Sequence, residues 1–338
     1  MSTVRAESTF AYHGLDTVKS TDTDTEVVKS LIKCFLEDVK FDRTKPLIKD
    51  PELEAAVWTY FKSQNLGQKT EKDVHDVLKL STTLTLQAYT SLPFENKVLC
   101  AIQILYMFLV DDIALSFLEE LRLFCQNFTL NNDHRQPLLN GFDKHLRYLG
   151  RYYGPYCHST IIKSAFDYIN GRIIEYEIEQ SNFMFSSKTR LMPMFLRTKV
   201  GAAEVLNSLL WPKALFPENK YLLQFFPVVQ ELVLFTDFTN DILSYYKEFV
   251  INQERGNFVA NFSETHGMSH LDVLRQLTTY TPQVVRSVYE ILEGKEEMQK
   301  AVQNFINGWI ILCTSNRRYH LVELFSDEGY LSPYSDDS

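Results

Sequence analysis

The sequence predicts an all-α, single-domain fold, and three observations carry that prediction. Apolar residues recur at helical spacing along nearly the whole chain, and the alternating pattern of strands is nearly absent. Glycine is sparse, at 12 of 338 residues. Proline stands at segment edges (Pro46, Pro51, Pro93, Pro137, Pro193, Pro212 and Pro217), as suits many helices joined by short loops.

Taken in order, the periodic segments run 25–40, 50–63, 71–90 and 95–110, with Pro51 at the start of the second and Pro93 just before the fourth. They continue as 113–127, 137–152 (opened by Pro137), 158–183 and 190–209, with Pro193 near its start. Pro212 and Pro217 separate that segment from 217–250, and 268–293 and 297–314 complete the set. Residues 1–20 and 327–338 are polar and are expected to be mobile ends, leaving 21–326 as one domain with no internal repeat or linker.

Bulk properties narrow the function. A net charge of −9 with no basic stripe argues against nucleic acid. Five scattered cysteines (34, 100, 125, 157 and 313) fit reduced thiols in the cytosol. The opening MSTVRAESTFAYHG lacks the apolar core of a signal peptide, and no run approaches 18 apolar residues. A cytoplasmic protein without a membrane span is expected, so the sequons at Asn127 and Asn261 are incidental. Aromatic content of 13% suits a filled core, and acquires more meaning only if a site needs aromatic walls.

The most informative stretch is Thr236-Asp-Phe-Thr-Asn-Asp-Ile-Leu-Ser-Tyr-Tyr-Lys-Glu248. Asn240, Ser244 and Glu248 stand at i, i+4 and i+8, within an arc of roughly 80° on one side of a helix. They form a column of oxygen donors with Lys247 beside it, which suits Mg²⁺ carrying a phosphate ester. A solvated polar face is the plain alternative. Val233, Leu234, Phe235, Phe238, Ile242, Leu243, Tyr245 and Tyr246 weaken it, because a helix apolar nearly all round is buried and its donors need partners.

Upstream, Asp111 and Asp112 end the apolar segment that begins at Ile104. Paired carboxylates there are costly without a cation, unless the helix simply ends in solvent. Two such helices facing each other could hold several Mg²⁺ ions. Arg197, Arg317, Arg318 and Tyr319, on or after other apolar segments, then supply donors that match phosphate oxygens.

Together these residues resemble a known family. Asn240-Asp-Ile-Leu-Ser244-Tyr-Tyr-Lys-Glu248 is similar to the second metal motif of class I terpene synthases, in the form found in the fungal trichodiene synthase family. Asp111-Asp112 resembles their aspartate-rich motif, and Arg197, followed by Leu210-Trp-Pro-Lys213, their diphosphate-sensing arginine. Asn316-Arg-Arg-Tyr319 resembles their C-terminal Asp-Arg-Arg-Tyr motif, and the similarity spans roughly residues 25–325.

The resemblance implies an α-helical bundle with a central active-site cavity, Mg²⁺ as cofactor (three ions with bound diphosphate) and a homodimer. It implies metal ligation by Asp111, Asn240, Ser244 and Glu248, with Asp112 in support. It implies diphosphate contacts from Arg197, Lys247, Arg318 and Tyr319, with Arg317 as a further candidate, and an ionisation trigger at a helix break at Gly201. Two positions depart from the pattern. The position of the usual third acid is Leu115, so either Glu119 substitutes, if the helix continues, or the third acid is dispensable, and Asn316 replaces an Asp that would otherwise form ion pairs.

The expected reaction is ionisation of farnesyl diphosphate, then cyclisation of the carbocation to a sesquiterpene hydrocarbon or alcohol in a dry, apolar pocket. Candidate pocket residues are Ile104, Phe108, Phe235, Thr236 and Trp309, each equally compatible with plain core packing. Two rivals remain, a chain-elongating prenyltransferase and a non-enzymatic helical binding protein. The first needs a second aspartate-rich motif where this chain carries Asn/Ser/Glu, and the second predicts no response to Mg²⁺ and pyrophosphate. A class II cyclase is rejected, because Asp22-Thr-Asp24 and Asp336-Asp337 lie in polar ends that provide no shielded acid.

Overall fold

The computed structural model describes residues 25–181, 183–254 and 256–332, and among these every regular element is helical. The all-α expectation holds. Helices α1 (Thr25–Asp38), α2 (Pro51–Lys62), α3 (Gln68–Ala88) and α4 (Phe94–Ile113) follow the predicted segments closely. Pro51 sits in the first turn of α2 and Asp50 caps it, accepting from the backbone N–H groups of Glu52 and Leu53. After α4 the chain departs from the predicted helix 113–127. It makes a 3₁₀ turn at Ala114–Phe117 and then two short helices, α5 (Leu118–Arg122) and α6 (Phe124–Leu130).

Helices α7 (Pro137–Tyr148) and α8 (Pro155–Ser181) come next. The first turn of α8 is capped from a distance, as Tyr156 and Cys157 donate their backbone N–H groups to the Glu218 carboxylate at 2.9 and 2.8 Å. The predicted helix 190–209 is two helices, α9 (Met192–Val200) and α10 (Ala203–Ser208), broken at Gly201 and at Ala202, whose φ is +52°. The predicted helix 217–250 is also interrupted. Helix α11 (Glu218–Phe225) and α12 (Val229–Tyr245) are separated by a 3₁₀ turn containing Pro227, and α12 ends in a π turn at Tyr246–Ile251.

Helix α13 (Phe258–His266) was absent from the sequence reading, although its signature is present. Asn257 caps it by accepting from the Ala260 N–H, apolar residues follow at 258, 259 and 262, and Gly267 ends it at φ +66°. Helices α14 (His270–Ile291), α15 (Glu296–Ser315) and α16 (Leu321–Leu324) complete the chain, with a 3₁₀ turn at Arg317–Tyr319.

Helix α3 packs on α4 and α15, and α12 packs on α10, α14 and α15, so the apolar faces converge on one core. Tyrosines enter that core because their hydroxyls find carbonyls: Tyr89 donates to Leu206 O at 2.8 Å and Tyr153 to Leu209 O at 3.1 Å. All five cysteines are free thiols. Residues 327–332, read from the sequence as the start of a polar tail, are packed against the rest of the fold. Asp327 and Glu328 pair with the buried Lys29 at 2.5 and 3.1 Å, and Tyr330 and Leu331 are buried. The expected mobile segments 1–20 and 333–338 lie outside the described residues.

One helical stretch among the described residues, Glu218–Ile251, is long and apolar enough by composition to cross a membrane. Its break at Phe226–Val228 and its buried Asp237, Asp241 and Ser244 make it a central element of this core instead.

Candidate active site

A cavity of about 350 Å³ opens between α3, α4, α8, α9, α12 and α15. Its volume falls in the range of roughly 300–1,000 Å³ usual for small-molecule sites. Asp111, at the end of α4, and Glu248, in the π turn after α12, both line it, although 137 positions separate them in the chain. Ser244, Asn240, Arg197, Gly201, Lys247, Arg318 and Tyr319 line it as well. Ile104, Phe108, Thr236 and Trp309 form part of its apolar wall, with Leu80, Leu84 and Met107.

Arg197 organises one side. Its Nε donates to both carboxylate oxygens of Asp241 at 3.0 Å, and Nη2 donates to the Asp237 carbonyl at 2.8 Å. Nη1 stands 3.3 Å from the Asp237 carboxylate. Burial works against the charge on Arg197, but Asp237 and Asp241 outweigh it and raise its pKa. Burial in turn pushes Asp237 up to about 7 and Asp241 up to about 6, with Arg197 opposing the shift in both.

Asn240 joins this group to the C-terminal turn. Its Oδ1 lies 3.4 Å from Arg197 Nη2, and its Nδ2 donates to the Tyr319 hydroxyl at 2.9 Å. Glu248 accepts from Asn257 Nδ2 at 2.9 Å and lies 3.5 Å from Lys247 Nζ. Burial raises the Glu248 pKa, against the pull of Lys247. The π turn re-aims Glu248, so the regular column read from the sequence bends at its last member.

On the opposite side, Asp111 faces Arg172 Nε at 3.1 Å and Arg318 Nη2 at 3.7 Å, while Asp112 accepts from Arg318 at 3.0 Å. Arg172 also donates to Glu175 through Nη1. Asn316 does not form an ion pair; its Oδ1 accepts from the Arg318 backbone N–H at 2.9 Å and shapes the turn.

These groups fit Mg²⁺. Ser244 is buried and its hydroxyl has only the Glu248 carboxylate to interact with, and that carboxylate and the Asn240 amide line the same hollow. Among the described residues, no three His, Cys, Asp or Glu side chains are grouped to hold a metal by themselves. Substrate phosphate oxygens and water would complete the shell, as is usual for this ion.

Three candidates lie off the cavity. Glu119 is not in it: α4 stops at Ile113, and the Glu119 side chain is 87% exposed, 3.6 Å from Arg122. Arg317 is exposed and does not line the cavity. Phe235 is fully buried in the core away from the cavity surface. Asp112 does not line the cavity either, but it holds Arg318, which does.

The sequence reading missed Arg172, Glu175, Asp237, Asp241 and Asn257, all of which line the cavity. Positions 237, 241, 244 and 248 share the helical spacing already in use, so Asp237 and Asp241 were within reach. Arg172 and Glu175 carry no comparable signal, since only the packing of α8 brings them to Asp111.

Comparisons with known proteins bear on the family and the fold. The family model for Trichodiene synthase (TRI5) matches residues 53–332. Monoterpene synthase 25 of Postia placenta is 28% identical over 304 residues, covering 89% of this chain and 87% of that protein. The (E)-beta farnesene synthase of Metarhizium brunneum is 24% identical over 278 residues, covering 81% and 83%. Among solved structures, the linalool/nerolidol synthase of Streptomyces clavuligerus superposes with a TM-score of 0.59 at 12% identity, covering 83% of this chain and 98% of that one. At that identity the likeness shows the fold alone.

Proposed function

Because the chain belongs to the trichodiene synthase family of class I terpene cyclases, which are carbon–oxygen lyases acting on prenyl diphosphates, we propose that it is a sesquiterpene synthase. It ionises farnesyl diphosphate with loss of diphosphate, and the carbocation cyclises to a sesquiterpene hydrocarbon or alcohol. The observation that carries this reading is the shared cavity. Asp111 and the Asn240, Ser244 and Glu248 set line one hollow, with basic donors beside them and an apolar wall beyond.

Arg197, Lys247, Arg318 and Tyr319 donate to the diphosphate oxygens, where negative charge grows as the carbon–oxygen bond breaks. Asp111, Asn240, Ser244 and Glu248 would hold Mg²⁺, which would supply positive charge against the leaving diphosphate. Gly201, at the break between α9 and α10, lets Arg197 and Asp237 pack against the backbone beside the reacting end.

The allylic cation then meets Phe108 and Trp309, whose π faces stabilise positive charge by about 0.5–2 kcal/mol each. Trp309 Nε1 donates to the Thr236 carbonyl at 3.0 Å, which fixes the ring and occupies a carbonyl that would otherwise attract water. The enzyme acts in the cytoplasm, and a homodimer is part of the same reading.

The test is gas chromatography of products from farnesyl diphosphate, with and without isopentenyl diphosphate, in Mg²⁺ and in chelator. Volatile C15 products that require Mg²⁺ support the proposal. Elongated diphosphates, or no turnover of any prenyl diphosphate, refute it. Geranyl diphosphate is the second reading, favoured by the relative named as a monoterpene synthase, and a higher kcat/KM for it would replace the first.

A further inference from the structure

Asp111 faces two guanidinium groups, one at each carboxylate oxygen. Arg172 Nε lies 3.1 Å from Oδ1, and Arg318 Nη2 lies 3.7 Å from Oδ2. A dication placed on either oxygen would sit against a guanidinium, and like charges that close repel even at partly exposed side chains. At least one arginine must therefore give way before Asp111 can hold a metal.

Each arginine has an acid to retreat to. Arg318 already donates to Asp112 at 3.0 Å. Arg172 already donates from Nη1 to Glu175, one turn further along α8. The two contacts differ in kind: Arg172 Nε makes no aligned hydrogen bond to Asp111 and is held there by charge, whereas Nη1 is hydrogen-bonded to Glu175. Arg318 is part of the diphosphate cradle, whereas Arg172 and Glu175 have no role in the reading above.

Resting on that reading, we propose that Arg172 and Glu175 form a cation-exchange pair that guards Asp111. Before the metal arrives Arg172 stands in for it, holding Asp111 aimed into the cavity. Arrival of Mg²⁺ with the diphosphate transfers Arg172 wholly to Glu175. Arg172 is a positioning residue that competes with the metal, and Glu175 weakens that competition by offering an alternative partner.

The experiment follows thermal stabilisation of the full chain by inorganic pyrophosphate at fixed concentration while Mg²⁺ is titrated. Arg172→Gln removes the competitor, so the half-saturating Mg²⁺ concentration falls by about three-fold or more, the scale of one partly exposed ion pair. Glu175→Gln removes the retreat, so it rises by a similar factor. The double variant follows Arg172→Gln, because Glu175 acts only through Arg172. Arg172→Lys keeps a competing cation and stays within about two-fold of the parent.

A purely structural role would shift both single variants in one direction, and that result overturns the proposal. So does a rise for Arg172→Gln, which would make Arg172 a direct diphosphate donor. If Arg172→Gln does not fold, the direction of the Glu175→Gln shift decides the matter. If the parent protein shows no Mg²⁺-dependent stabilisation by pyrophosphate, it is the metal–diphosphate reading that fails.

Discussion

Gly201→Ala is the substitution for which the structure gives the sharpest expectation. A Cβ at this position would lie 1.9 Å from Asp237 Oδ1 and 2.6 Å from Arg197 Nη1. Neither neighbour can swing into solvent, since Arg197 is 8% and Asp237 3% exposed. To restore ordinary contact Asp237 Oδ1 must move by roughly 1.5 Å and Arg197 Nη1 by roughly 0.8 Å, and overpacking of this kind costs about 1–3 kcal/mol of stability. The larger effect is on catalysis. A shift of about 1 Å in a group that positions the leaving diphosphate is worth about 100-fold in rate.

The assay is turnover of farnesyl diphosphate, read beside a urea unfolding curve. Gly267→Ala serves as the control, because Gly267 sits at φ +66° with nothing within 4 Å of the added Cβ. That variant loses about 1–2 kcal/mol from backbone strain and keeps its turnover. If Gly201→Ala retains turnover within about three-fold of the parent, against the 100-fold expected, the packing of Asp237 and Arg197 over Gly201 has no role in positioning the leaving group.

Asn240→Ala and Glu248→Ala should each lower turnover by about 100-fold or more while leaving the urea midpoint nearly unchanged, as measured by product yield and denaturation. Arg197→Met leaves Asp237 and Asp241 buried without their cation, so it should cost about 3–5 kcal/mol at pH 8. That cost should shrink as pH falls, because burial already raises both carboxyls and loss of the opposing Arg197 raises them further, so protons neutralise them. His145, away from the cavity, is lowered by burial from 6.5 to about 3. The unfolded chain therefore binds a proton that the folded protein does not between these values. Its contribution is complete above pH 6.5 and is lost as pH falls, at about 1.4 kcal/mol per unit. Comparing urea stability of the parent and His145→Gln at pH 7.5, 5.5 and 4.5 should show a flatter slope in the variant.

Much of this molecule is legible in the chain alone. Helical periodicity with proline at the edges determines an all-α fold, because a 3.6-residue apolar repeat can be buried only by a helix. The spacing of Asn240 and Ser244 places two oxygens on one side of α12, since that is a matter of local geometry, while Glu248 follows in the π turn. Where helices bend is less legible. The break at Gly201–Ala202, expected only through the family resemblance, and the π turn at Tyr246 interrupt segments whose periodicity runs on unbroken, whereas Pro227 marks the break at Phe226–Val228.

Tertiary structure alone decides which distant groups meet. Glu119 looked like the missing acid on the strength of sequence proximity, yet the chain turns away at Ile113 and leaves it in solvent. Glu175 reaches the Asp111 network from another helix, through Arg172. Periodicity fixes which face of its own helix a residue occupies, whereas the partner across a cavity depends on how rigid helices cross, and no local pattern records that angle.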